Sequence, residues 1–125
     1  GQRYPWGDSD ERDVVWYSGG KFGHLSSVRT RAVHDAPPDT RSSTGGIHMA
    51  GNVWEWTQSV FAPFEGFVPD PYKDYSRPWF DGKHAVLRGG SWATRNRIIW
   101  NTFRNFYTCD RRDVIAGFRT CALEI

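Results

Sequence analysis

Gly51-Asn52-Val53-Trp54-Glu55-Trp56, then Val86-Leu87-Arg88-Gly89-Gly90-Ser91-Trp92, then Ala116-Gly117-Phe118-Arg119: these blocks decide how the chain is read. Each sets glycine beside a large aromatic ring and one charged residue. Glycine admits positive φ and lets two backbones approach closely. The rings bring large buried area, and an indole leaves one N–H to satisfy. The ion then needs a partner. Three such blocks in 125 residues predict an irregular, loop-rich core rather than a regular sandwich or bundle. On this pattern Trp54, Trp56, Trp92 and Phe118 are expected to share that core.

The length suits one domain with a real core. With seven Trp, eight Phe and five Tyr, core volume must come from rings more than from Leu and Ile. A net charge of +2 is too small to imply nucleic acid, and the sixteen Lys and Arg are mixed with acids rather than gathered into a basic run. Arginine and aromatic side chains together suit small carboxylate ligands or protein partners; the alternative is Arg–Asp pairing that fixes loops. No apolar run reaches membrane-spanning length and no signal pattern opens the chain, so no membrane partner is expected. The abrupt start at Gly1 reads as mid-domain sequence, with upstream residues expected. Cys109 and Cys121 are too few for a disulfide framework and complete no zinc site. Free thiols in a cytoplasmic protein are expected, the alternative being a single bridge in an oxidising compartment.

Locally, Arg3-Tyr4-Pro5-Trp6-Gly7-Asp8 reads as a turn. Val14-Val15-Trp16-Tyr17 reads as a short β-prone run and Pro37-Pro38-Asp39 as a surface loop. Ile47 to Ala50 suits one helical turn before Gly51. Val53 to Ser59 reads as a strand with Trp54 and Trp56 on one face and Glu55 on the other. Phe61 to Phe80 contains four prolines and no steady period, which excludes a helix or central strand. Its many rings argue for an ordered wall of a pocket. His84 to Leu87 reads as a strand, Gly89-Gly90 forces a bend or bulge before Trp92, and Ile98 to Tyr107 reads as a further strand, although Ile98-Ile99-Trp100 suits helix equally. Val114-Ile115 and Phe118 to Leu123 read as a closing strand pair around Gly117.

The three blocks, in this order, closely resemble the formylglycine-generating-enzyme/sulfatase-modifying-factor domain, a variant of the C-type-lectin-like fold. The resemblance implies an α+β fold with short antiparallel sheets, long ordered loops and few helices. Residues 1–125 then form a single domain similar to the C-terminal part of the family domain. The formylglycine-generating branch places a copper-binding cysteine pair where Thr94 and Ile99 stand here, and neither can ligate a soft metal. The run from Gly90 to Gly117, with Ser91-Trp92-Ala93-Thr94, Thr102-Phe103-Arg104-Asn105-Phe106 and Arg111-Arg112, is similar instead to the C-terminal domain of the ergothioneine and ovothiol sulfoxide synthases. Pro63-Phe64-Glu65-Gly66-Phe67 and Pro71-Tyr72-Lys73-Asp74-Tyr75-Ser76 resemble that branch as well.

This resemblance implies substrate binding by a non-heme iron(II) sulfoxide synthase, which joins a thiol (cysteine or γ-glutamylcysteine) to a histidine derivative using O2. Its iron lies on a separate helical domain with His-x3-His-x-Glu spacing. His24, His34, His48 and His84 show no such spacing, so the iron module is expected upstream or on another chain. Asn105 and Phe106 match positions lining the histidine-substrate carboxylate site, and Arg111 matches a carboxylate-binding arginine, a role the guanidinium fork suits. Tyr72 and Tyr75 are implied pocket-lining residues. A calcium site is implied at the carbonyls of Gly51 and Val53 and the carboxylate of Glu55; equally, Glu55 pairs with Arg88 or Arg119. The competing function is a non-catalytic C-type-lectin-like ligand-binding or receptor-binding module, which shares the Gly-Gly-Ser and Gly-Phe-Arg frame.

Overall fold

The computed structural model describes residues 1–8 and 41–121. The Val14–Tyr17 run, the Pro37-Pro38-Asp39 loop, His24, His34 and the last residues of the closing strand lie outside them. The described strands are β1 (Trp54–Val60), β2 (His84–Arg88), β3 (Asn105–Thr108) and β4 (Ala116–Gly117). They form one sheet in the order β3-β2-β1-β4. The fold is the expected C-type-lectin-like α+β type, a small sheet with long ordered connections. The helical turns among the described residues are short 3-10 pieces at Lys73–Tyr75, Arg77–Trp79 and Asn96–Ile98. The sheet is mixed: β1 and β3 flank β2 antiparallel, whereas β4 runs parallel to β1, pairing Trp54 with Ala116 and Glu55 with Gly117.

The motif glycines explain how the sheet is closed. Gly51, Gly89 and Gly90 have φ of +78°, +90° and +79°, a region that costs other L-residues strain. A Cβ on Gly89 would lie 2.8 Å from the Met49 carbonyl oxygen, and one on Gly90 3.1 Å from Ile99 Cγ1. Two loops therefore cross at backbone contact, locked by Gly51 N–H donating to the Gly89 carbonyl at 2.8 Å and Trp92 N–H to the Asn52 carbonyl at 3.0 Å. That crossing leaves no helical turn at Ile47–Ala50, because His48 itself turns through φ +52° to carry the chain there. The opening turn forms as expected, with reciprocal Tyr4–Gly7 bonds and Arg3 N–H on Asp8 Oδ1. It docks on the body through Asn101 N–H to the Arg3 carbonyl.

Three expectations need correction. Ile98–Tyr107 is not one strand: Ile99 is buried under Gly90, the chain turns at Trp100–Phe103, and pairing starts only at Asn105. Among the described residues the closing pair reduces to Ala116–Gly117, with Arg119 drawn toward Glu55 and the Ile47 and His48 carbonyls. Phe118 is 76% exposed and lies outside the core. Trp56 and Trp92 are only half-buried, so of the four expected core rings Trp54 alone is buried. It packs against Phe103 at 6.0 Å between centroids, and among the described residues Leu87, Val86, Ile99, Ala50 and Tyr4 are the other buried apolar side chains.

Candidate functional site

The 61–80 segment is an ordered wall, and its anchor is Phe106. Alternation along β3 puts Phe106 on one face of the sheet and Asn105 and Tyr107 on the other. Phe61 stacks on Phe106 at 4.0 Å, Phe80 packs on Phe61 at 5.1 Å, and Phe67 meets Phe80 edge-on at 5.6 Å. Trp79 and His84 each approach Phe106 at 5.7 Å. Offset and edge-on ring pairs of this kind add to simple area burial. The His84 ring is oriented by Asp81, whose carboxylate lies 2.9 Å from Nδ1. That hydrogen bond is the main reason the Asp81 pKa falls to about 2. Arg104 clips the wall from below, with its guanidinium 3.9 Å over Phe64 and NH1 donating to the Ala62 carbonyl at 2.9 Å. The wall thus rests on Phe106 instead of facing it across a cleft.

The other expected ligand residues are not gathered with it. Asn105 Oδ1 accepts the Phe106 N–H at 3.0 Å. Arg111 makes a bidentate pair with Asp113, both bonds 2.6 Å, and its guanidinium lies 4.9 Å over Tyr107. The pairing lowers the Asp113 pKa and raises that of Arg111, the hydrogen bond being the largest cause in each case. Tyr72 and Tyr75 are exposed and pack on one another at 4.9 Å.

A cavity of about 750 Å³ opens elsewhere, between the opening turn, the 42–44 loop, β1 and the 119–121 segment. Its described lining includes Trp56, Arg88, Trp100, Asn101 and Arg119, none of which was singled out as a ligand residue. The sequence carried no signal for Trp100 or Asn101, because neither belongs to a motif and only tertiary contact with Gln2 and Arg3 brings them there. Glu55 also lines this space, with both carboxylate oxygens held by Arg119, Nε at 2.7 Å from Oε2 and NH2 on Oε1. Of the two arginine partners allowed for Glu55, the one that pairs is Arg119. The same guanidinium donates to the Ile47 and His48 carbonyls at 3.0 Å, so the Gly-Phe-Arg motif acts as a staple.

Among the described residues no three His, Cys, Asp or Glu side chains converge as a metal site, so these residues do not fit an iron centre. Thr94 and Ile99, at the copper-cysteine positions, are buried structural residues: Thr94 Oγ1 accepts the Ser91 N–H at 2.8 Å and Ile99 packs under Gly90. Cys109 and Cys121 are exposed free thiols.

Comparison with known proteins fits this architecture. The model of the Sulfatase-modifying factor enzyme 1-like domain matches residues 1–124. The chain is 42% identical over 118 residues to the hercynine oxygenase of Mycobacterium tuberculosis, covering 94% of this chain and 26% of that protein. It is 54% identical over 84 residues to ergothioneine biosynthesis protein 1 of Schizosaccharomyces pombe, covering 66% of this chain and 11% of that one. Formylglycine-generating enzyme of Streptomyces coelicolor is more distant, at 34% over 97 residues, covering 74% of this chain and 30% of that one. Among solved structures, Treponema denticola variable protein 1 superposes with a TM-score of 0.60 at 29% identity, over 86% of this chain and 35% of that one. The chain spans about a quarter of the length of the hercynine oxygenase it matches.

Proposed function

Because the chain belongs to the Sulfatase-modifying factor enzyme 1-like domain family, we propose that it is the substrate-binding domain of an ergothioneine-type sulfoxide synthase. The observation that carries this reading is the 42% identity to a hercynine oxygenase over 94% of the chain. The substrates are then a histidine derivative such as hercynine and a thiol, cysteine or γ-glutamylcysteine. Iron(II) on a partner helical domain, upstream or on another chain, supplies the oxidation by O2. The domain's own residues bind and orient.

In this reading Asn105 and Arg111, on the Tyr107 side of β3, form the carboxylate end of the site, Phe106 backs them from the opposite face, and the exposed Tyr72 and Tyr75 are its outer ligand contacts. Phe106, fixed by Phe61 and Trp79, is the rigid element. Arg111 is exposed and reaches a substrate carboxylate by exchanging Asp113 for it, one bidentate pair for another. A calcium ion at Gly51, Val53 and Glu55 has to displace the Arg119 guanidinium from both carboxylate oxygens, which disfavours it here. The cytoplasm suits two exposed free thiols, and no helix among the described residues is long and apolar enough to cross a membrane.

The test is reconstitution. Combined with an iron-loaded helical domain bearing His-x3-His-x-Glu, hercynine, O2 and either thiol, the chain should yield the thioether sulfoxide by mass spectrometry, and neither part should do so alone. Absence of product, under conditions where the mycobacterial hercynine oxygenase works, overturns the reading.

A further inference from the structure

Arg88 stands opposite Glu55 in the β1–β2 register, yet that carboxylate belongs to Arg119. The Arg88 guanidinium is left with the Asn101 carbonyl, to which NH2 donates. Among the described residues no carboxylate pairs with it. Burial is the larger cause that lowers its pKa, and the positive charge of Arg104 is the second. Arg104 has no described carboxylate partner either; the Ala62 carbonyl and the faces of Phe61 and Phe64 hold it in place. Two guanidinium groups that repel one another therefore line one cavity of about 580 Å³, with no acidic residue in its described lining.

Both guanidinium groups are half-buried, so their mutual repulsion is only partly screened by water, and an anion placed between them relieves it. The rest of the lining says which anion. Val60, Val86 and Phe64 give it an apolar side, suited to an organic body rather than to a hydrated inorganic ion. Ser59 and Thr102 also line it. Arg104 is stacked on Phe64 and tied to Ala62, so little side-chain freedom remains to be lost on binding.

We propose that this cavity, between β1, β2 and the Asn101–Arg104 segment, is a binding site for an organic carboxylate held by Arg88 and Arg104. The site is distinct from Asn105 and Arg111 and does not rest on the reading of the chain as part of a synthase. The carboxylate comes from a free acid or from an acidic side chain of a polypeptide, and both present the same planar group.

Nitrogen-15 NMR of the arginine Nε–H groups tests this. The probes are N-acetylglycine for a free acid, the α-amide of N-acetylglutamate for a side-chain carboxylate, N-acetylglycinamide as the uncharged control, and inorganic phosphate. Saturable shifts of the Arg88 and Arg104 signals are expected with the first two; the tighter of them identifies the source. Arg104→Gln should weaken binding about tenfold, the usual loss for one charge-assisted contact. Arg88→Gln should do the same, and Arg104→Gln is the decisive variant if Arg88→Gln fails to fold. The proposal is overturned by the absence of saturable shifts, by unchanged affinity in Arg104→Gln, or by amide or phosphate binding as tightly as the carboxylates.

Discussion

Two arginines in this molecule make the same bidentate contact with a carboxylate and serve opposite ends. Arg119 reaches Glu55 across 64 residues of sequence, and the two side chains are 35% and 18% exposed. Arg111 reaches Asp113 across 2 residues, with exposures of 45% and 66%. The first pair carries two further bonds to loop carbonyls and closes the motif loops on the sheet. The second bridges a single turn in water. An ion pair stabilises when it constrains distant backbone in a shielded place, and it contributes little where solvent competes for both partners. Identical chemistry therefore yields a staple in one region and an exchangeable contact in the other.

That contrast can be broken or sharpened by mutation. The largest effect is expected within the stapled frame: Trp54→Ala should cost about 3–5 kcal/mol of stability, the usual range for a buried aromatic. Phe118→Ala, in a motif yet exposed, should stay within about 0.5 kcal/mol. Denaturant titration of both variants checks this, and a comparable loss at Phe118 would restore it to the core. Next comes Arg119→Ala, expected to cost about 2 kcal/mol because Glu55 and two carbonyls lose their charged donor, discounted for partial exposure. Chelator should leave the melting temperature of the wild type unchanged; a drop would show that calcium, not Arg119, holds Glu55.

A smaller effect should appear in acid. The Asp81 pKa is lowered from 3.8 to about 2 by its bond to His84. A depressed carboxylate contributes stability above its unfolded pKa and loses it as pH falls through the folded value. The melting temperature should therefore hold down to about pH 4 and decline toward about pH 2, with a shallower decline in Asp81→Asn. An identical acid limb in that variant would show that the Asp81–His84 contact does not stabilise the fold. The smallest thermal effect is expected for Arg111→Ala, whose melting temperature should match the wild type within error. In the reconstituted synthase the same variant should raise the KM for hercynine. A marked thermal loss would make Arg111 a second staple, and an unchanged KM would remove it from the proposed site.

Local chemistry alone made much of the frame legible. Glycine at 89 and 90, alternation at 54 to 60 and prolines at 63, 69, 71 and 78 each restrict backbone conformation directly, so the bend at Gly89-Gly90, β1, β2 and the irregular aromatic wall could be read one residue at a time. The identity of the buried rings could not. Trp54 and Phe118 both sit in glycine-bearing motifs, yet Trp54 is buried against Phe103 while Phe118 stands exposed beside the Arg119 that reaches Glu55. The helical turn expected at Ile47–Ala50 does not form because that backbone meets Gly89 and His48 turns through positive φ to bring it there.

The candidate site divides along the same line. Resemblance to the sulfoxide synthases marked out Asn105, Phe106 and Arg111, side-chain type made Asn105 and Arg111 fit for a carboxylate, and ring content marked the aromatic segment as a wall. Tertiary structure decided that Phe106 carries that wall, that Arg111 is already paired, and that Arg88 and Arg104 share a cavity with no acid in its described lining. Sequence by itself determined which backbone conformations and chemistries were possible, because those depend on each residue and its neighbours. Which charge meets which, and which ring is shielded, depends on contacts between segments far apart in the chain, and only the closed fold sets those.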